Sequence, residues 1–248
     1  MNYTFKISVP FWTDIDNIEK STRVRNVQFV AVELQKLVTY LRGRGIDIDF
    51  TIYDFSPEPV IEGAVHKSFP LGAFRKSEKW NFILEQTNTD YFIGLDSDMF
   101  IHEEDYEKFY NLLCVPNNEH MMLFNTRCVQ DWDTDKVDWK GHDTSNLPGL
   151  NLHMYCSYGH VGSFGGLWIC PTHFLKEAGG FNENIKFRGD EDGEMYTRII
   201  RTNIEREKYV KRILDIIPIH LPHVYHMGDP LYQNKNEHNG EWQPRTEW

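Results

Sequence analysis

Two aspartates separated by one serine, Asp96 and Asp98, end the apolar run Phe92-Ile93-Gly94-Leu95. Such a run reads as a buried strand, and the turn at its end lets both carboxylates face one point. Two close carboxylates repel and raise each other's pKa unless a cation neutralises them. Oxygen donors of this kind suit Mg²⁺ or Mn²⁺. A solvated pair capping the following turn is the plainer alternative. A second acidic group, Asp190, Glu191, Asp192 and Glu194, falls within five residues at what reads as a helix start. The helix dipole accounts for one or two of these acids but not for all four. A carboxylate held at a helix N-terminus and crowded by other acids suits general-base work near neutral pH. In the stretch IPIHLPHVYHMG, His220, His223 and His226 are candidates for a nitrogen ligand to the same metal, and Pro218 and Pro222 argue against a helix there. A three-histidine zinc site is the competing arrangement.

The elements that must hold these groups are legible in outline. Phe5, Ile7 and Val9 alternate with polar residues up to Pro10, which predicts a first strand. Val24, Val27, Val30, Leu34, Leu37, Val38 and Leu41 recur at helical spacing after a Ser21 or Thr22 cap, and Gly43 and Gly45 stop that helix. Ile46, Ile48, Phe50 and Ile52 predict a second strand closing on Asp54. A helix over Lys76 to Glu85 leads into the strand before Asp96. Further strands are expected at 120–124, 163–170 and 210–219, a short helix opening at Pro171 and stopping at Gly179-Gly180, and a helix over 190–202. The segment 128–158 reads as a long loop with Trp132 and Trp139, and such loops are usually functional. Strands alternating with helices predict an α/β fold with a mostly parallel central sheet and helices on both faces. Ligands of such sheets gather at the carboxyl ends of strands, where Pro10, Asp54, Asp96 and Asp98 all lie. No repeat or linker divides residues 1–248, so one domain is expected, with 228–248 as a polar tail.

The chain has 248 residues, 40% hydrophobic and 25% charged, with a formal net charge of -11. That balance predicts an ordinary globular core and argues against nucleic-acid binding, which rests on basic patches. No apolar run reaches the ~18–20 residues of a membrane span, and the N-terminus alternates like a strand rather than a signal peptide. Cys114, Cys128, Cys156 and Cys170 sit in apolar or aromatic neighbourhoods without CxxC pairs, so buried free thiols and a cytoplasmic setting are expected. A Mg²⁺-dependent phosphohydrolase using Asp96 as nucleophile also fits a DxD after a strand. That motif normally follows the first strand and continues with Thr or Val, a slot filled here by Phe100.

Several stretches, in one order along the chain, resemble the inverting galactosyltransferase-like and family 2-type glycosyltransferases of the GT-A fold. They are ISVPFW, FRKSEKWN, DYFIGLDSDMF, SFGGLWICPTHFLKEAGGFNE, GDEDGEMYTR and a histidine in HVYHMG. The resemblance implies a single GT-A domain over 1–248, with about 1–100 as a nucleotide-binding half, about 101–227 as an acceptor-binding and catalytic half, and 228–248 as a tail. Such a domain would move a sugar from a nucleoside-diphosphate sugar, UDP-linked, to a hydroxyl of a glycan or polysaccharide, with Mn²⁺ or Mg²⁺ as cofactor. The resemblance implies that Asp98 binds the metal, with Asp96 nearer the donor ribose or the metal's water shell, and that His226 completes the site with His223 in reserve. Pro10, Phe11 and Asp54 would line the nucleobase pocket. Lys76 would face the donor phosphates, Asn81 matches a polar donor-binding position in the same helix, and Gly165 and Gly166 would approach the donor sugar. Asp192 would be the base, Glu191 would hold hydroxyls, and Trp168 and Trp132 would meet the acceptor. The chain departs from the family where Trp12 replaces a basic residue and where Phe187-Arg188-Gly189-Asp190 precedes the Glu-Asp pair. A nucleotide-sugar-binding domain without turnover is a further alternative.

Overall fold

A computed structural model describes residues 3–13, 22–69, 75–115, 121–129, 137–142, 144–145, 147, 153–155, 166–185, 191–202 and 210–222. The elements follow in the order β1 (Thr4–Phe11), α1 (Thr22–Gly43), β2 (Asp47–Asp54), β3 (Val65–His66), α2 (Lys76–Glu85), β4 (Tyr91–Leu95) and β5 (Met99–Phe100). A 3₁₀ turn (Glu103–Asp105) then runs into α3 (Tyr106–Leu113), followed by β6 (Met121–Phe124), β7 (Thr126–Cys128), β8 (His153–Tyr155) and β9 (Leu167–Pro171). Last come α4 (Thr172–Glu177), α5 (Glu191–Thr202), β10 (Val210–Ile213) and β11 (Ile219–His220).

Among the described residues, seven strands form the main sheet in the order β10-β6-β9-β4-β1-β2-β3. β1, β2, β3 and β4 run parallel, as do β6 and β10, while β9 lies antiparallel between β4 and β6. The fold is therefore the expected α/β arrangement with a mostly parallel sheet, with one reversed strand at its centre. Strand alternation sends the sheet's side chains to two cores. Ile93 and Leu95 of β4, Met122 and Phe124 of β6, and Leu167 and Ile169 of β9 join the apolar stripe of α1 and the buried residues of α3. Phe92, Met121, Leu123, Trp168 and Cys170 join Trp80 and Ile83 of α2, Phe174 and Leu175 of α4, and Met195 and Ile199 of α5. The helices thus cover both faces, and α2 and α5 share a core.

A second sheet, β5-β11-β7-β8, lies beyond the end of β4. It corrects two expectations. The strand anticipated over 210–219 is two strands in different sheets, because Pro218 has no N–H to continue a ladder; its carbonyl instead accepts from Arg127 N at 2.9 Å. The anticipated 128–158 loop contains β8, which pairs antiparallel with β7, and its Trp139 packs beneath the Arg25 guanidinium at 3.6 Å. None of the three described cysteines forms a disulfide, but only Cys170 is buried as expected: Cys128 is half-buried, and Cys114 is exposed at the C-terminal end of α3 where the helix leaves the core.

Gly94 is paired with Trp168 across β4 and β9. The indole lies flat on Phe92, with centroids 5.3 Å apart and planes at 9°, and edge-on to Trp80. A Cβ on Gly94 would fall 2.7 Å from Trp168 Nε1 and closer still to neighbouring ring carbons. Gly94→Ala should therefore lower stability by ~1–3 kcal/mol, the usual cost of overpacking. Urea unfolding followed by tryptophan fluorescence measures this; a midpoint equal to that of the wild type would show that Trp168 has room to move.

Candidate functional site

β4 ends beneath a tight turn. Asp96 N donates to Gly166 O at 2.8 Å and Met99 N donates back to Asp96 O at 3.1 Å, so the turn stands on β9 and presents the side chains of Asp96 and Asp98 above the sheet edge. Gly166 adopts a φ of +134°, a region L side chains rarely enter, and a Cβ there would meet Met99 Sδ at 2.5 Å. The second sheet then aims one histidine. β11 pairs antiparallel with β5, setting His220 opposite Met99, and Leu221 N donates to Asp98 O at 2.8 Å. His220 Nε2 consequently lies 3.5 Å from Asp98 Oδ1, both side chains more than four-fifths buried (17% and 18% exposed).

Lys76, the first residue of α2, reaches into the other half of the site. Its Nζ lies 3.1 Å from Glu191 Oε1, 3.4 Å from Asp192 Oδ2 and 3.5 Å from Asp96 Oδ1. Glu191 and Asp192 open α5, where the helix N-terminus favours negative charge. Three carboxylates against one ammonium leave an excess of negative charge. Burial pushes the Asp192 carboxyl up to about 7, with the charges of Glu191 and Asp96 adding to the rise and Lys76 opposing it. Burial alone would lower the Lys76 ammonium, but the charges of Asp192, Asp96 and Glu191 outweigh it and hold Lys76 well above its ordinary range. Glu191 is only 3% exposed, and its Oε2 accepts no hydrogen bond. A buried carboxylate oxygen left in that state is costly, and a ligand hydroxyl would relieve it.

Other residues singled out in the sequence have different surroundings. Asp54 is wholly buried, and its carboxylate accepts from the backbone N–H groups of Ser56 (2.9 Å), Val60 (2.6 Å) and Ile61 (3.0 Å). It organises the loop after β2. Asn81 is also wholly buried; its Nδ2 donates to Phe181 O and Glu183 Oε1, and its Oδ1 accepts from Phe181 N. It fastens α2 to the turn after α4. Phe11 is buried in the first core, its carbonyl accepting from Phe55 N, with Pro10 half-buried beside it. Trp168, expected as an acceptor platform, is 4% exposed within the aromatic stack, because its place on β9 points it into the second core. Gly165, Trp132, His223 and His226 lie outside the described residues.

Two groups in this region carried less weight in the sequence than they have in space. His220 was a candidate ligand in the sequence, but the resemblance implied His226 with His223 in reserve and passed it over; the β5–β11 register sets it beside Asp98. Lys79, one turn beyond Lys76 on α2, is buried with its Nζ 5.1 Å from the Trp12 ring, 5.7 Å from Phe69 and 6.0 Å from Phe55. Burial, together with the Arg23 charge, pushes its ammonium down to about 7. The i,i+3 spacing of the two lysines was the available signal, since it places them on one helix face.

The Lys76 cluster makes stability pH-dependent. A carboxyl raised in the folded state, such as Asp192, binds a proton that the unfolded chain has released, so stability falls as pH climbs from about 4 to about 7. Lys76 offsets this wherever it is charged, its contribution persisting until pH exceeds its raised folded value. Lys76→Met leaves the carboxylates without their cation. It should cost ~3 kcal/mol at pH 8 and much less at pH 5, where protonation relieves the repulsion. Thermal unfolding of both proteins across that range measures the difference; equal losses at the two pH values would contradict the electrostatic account.

Residues 151–227 match the family model described as the N-terminal domain of galactosyltransferase. No curated protein matches the chain in sequence. Solved structures share its architecture at low identity. GalNAc-T7, crystallised with UDP, GalNAc and Mn²⁺, is 11% identical with a TM-score of 0.53, over 93% of this chain and 46% of that one. The mannosyltransferase PcManGT from Pyrobaculum calidifontis, in complex with GDP-Man and Mn²⁺, is 12% identical with a TM-score of 0.51, over 92% of this chain and 59% of that one. S. aureus TarS 1-349 is 14% identical with a TM-score of 0.50, over 88% and 60%. The chain thus spans less than two thirds of each of these structures. What they share with it is the fold: this chain has the GT-A architecture of the glycosyltransferases, with its 151–227 segment similar to a galactosyltransferase domain.

Proposed function

We propose that the chain is a metal-dependent, inverting glycosyltransferase that takes a sugar from a UDP-linked donor and joins it to a hydroxyl of a glycan or polysaccharide. The observation that carries this reading is the convergence of Lys76, Asp96, Glu191 and Asp192 beside the Asp98–His220 pair, at the carboxyl end of β4. GalNAc-T7 and PcManGT, which share the fold, were solved with Mn²⁺ and a nucleotide or nucleotide sugar. A carboxylate oxygen and an imidazole nitrogen 3.5 Å apart suit Mn²⁺ or Mg²⁺ in donor type, so Asp98 and His220 would hold the ion, with His226 available from outside the described residues. The ion would supply Lewis-acid neutralisation of the leaving diphosphate.

The chain's own groups divide the remaining work. Lys76 offers a buried positive charge to the donor phosphates. Asp96 would meet the donor ribose or the ion's water shell. Glu191 Oε2, which accepts nothing in the free protein, would receive a sugar hydroxyl. Asp192, raised to about 7, is poised to take the acceptor hydroxyl's proton near neutral pH as that oxygen attacks opposite the leaving group. The GT-A fold, with the DxD on the fourth strand rather than the first, weighs against the phosphohydrolase alternative.

Nucleotide release from a panel of nucleotide sugars with Mn²⁺, with and without glycan acceptors, tests the reading. Asp98→Ala should abolish metal-dependent UDP-sugar turnover. Asp192→Asn should leave donor binding nearly intact and cut transfer by ~10²-fold or more. Phosphate release from simple phosphomonoesters, or UDP-sugar binding without turnover across a broad acceptor panel, would replace this reading with the hydrolase or the sensing domain. Within the metal site, His220→Ala should weaken Mn²⁺ binding by ~10-fold or more, the usual range for disturbing a metal site; unchanged Mn²⁺ affinity would return the ligand role to His226 or His223.

A further inference from the structure

A second cavity lies at the opposite end of the sheet from the acidic cluster. It has a volume of about 390 Å³ and is lined by residues that include Tyr3, Asn88, Asp90, Thr172, His173 and Lys176. That volume falls within the ~300–1,000 Å³ typical of small-ligand sites. The five residues of β4 separate Asp90 from Asp96, so cavity and cluster stand about 20 Å apart along the strand.

The cavity's polar groups are held by the fold. Asp90 Oδ2 accepts from both Thr4 N and Thr4 Oγ1 at 2.8 Å, and Asp90 O accepts from Thr172 N at 2.8 Å. Lys176 Nζ donates to Thr87 O at 3.0 Å, tying α4 to the turn before β4. Tyr3 meets Tyr91 edge-on at 5.3 Å. An ionised carboxylate has about four acceptor positions, of which Thr4 uses two on Asp90. Thr172 is 6% exposed, and its Oγ1 is buried without a hydrogen-bond partner.

The lining also selects the ligand's chemistry. One carboxylate balances one ammonium, so neither a simple anion nor a simple cation is favoured. Amide, hydroxyl and imidazole groups interleaved with tyrosine suit a molecule with several hydroxyls on one side and C–H groups on another. We propose that this cavity is a second saccharide-binding site that holds a neutral stretch of the glycan acceptor distant from the reacting hydroxyl. The proposal rests on the glycosyltransferase reading for its occupant's role, but not for the binding itself. A glycan reaching both places must span the ~20 Å between them, so the site favours long acceptors over short ones.

The test uses the full chain without donor. Isothermal titration with maltotetraose, xylotetraose and chitotetraose, and with inorganic phosphate as control, should find at least one neutral tetrasaccharide that binds. Lys176→Met and Asn88→Ala, neither of which breaks the Asp90–Thr4 contact, should each weaken that binding by about fivefold or more while leaving acceptor-independent UDP-sugar hydrolysis unchanged, and Asn88→Ala, which removes none of the contacts named above, should also leave the unfolding temperature unchanged. Transfer to long acceptors should then show a raised KM with kcat unaltered, and transfer to disaccharides should not change. Binding of none of the tetrasaccharides, preferential binding of phosphate, or tetrasaccharide binding untouched by both variants overturns the proposal. Saccharide binding lost in the variants without any sugar transfer by the wild type would uphold this site and sink the transferase reading instead.

Discussion

One ammonium among three carboxylates is the constraint around which this molecule is arranged. Lys76, Asp96 and the Glu191–Asp192 pair come from α2, the end of β4 and the start of α5. Their meeting follows from packing, since Trp80 and Ile83 of α2 and Met195 and Ile199 of α5 fill one core beneath Phe92 and Trp168. Bringing acids together in a partly dry site is costly, and a single cation compensates only in part. Burial raises the Asp192 carboxyl to about 7, and the charges of Glu191 and Asp96 add to that rise against the opposing Lys76. On the proposed reading this excess negative charge is also what a metal and a cationic clamp are needed for, so an acidic protein can receive a diphosphate.

The reversed strand β9 and the small second sheet give this arrangement its precision. β9 supports the Asp96 turn through Gly166 O and carries Trp168 into the gap left by Gly94. β5 and β11 then hold the far side of the turn, so Asp98 faces His220 rather than solvent alone. A side chain placed by two crossing ladders has little freedom to drift, which is what a metal ligand requires.

Much of this was legible from residue order. Alternation marked β1 and β2, and helical spacing marked α1 and α2, because each element buries one face and its pattern is local. The DxD turn and the acidic start of α5 were likewise visible as chemistry, and Lys76 through the family resemblance. What sequence could not supply was register. The pairing of 219–220 with 99–100, which picks out His220, depends on strands more than a hundred residues apart. Burial was the other missing quantity. Asp54, Asn81 and Trp168 have residue types that fit a ligand pocket, yet the first two spend their hydrogen bonds on backbone and loop, and the third fills a core.

A crystal structure of the full chain with Mn²⁺ and UDP tests the central claim most directly. The account predicts the ion bound to the Asp98 carboxylate with a histidine nitrogen, His220 first among the candidates, and Lys76 Nζ turned from the carboxylates toward the diphosphate. An ion and nucleotide bound away from the end of β4, with Lys76 still paired to Asp96, Glu191 and Asp192, would contradict it.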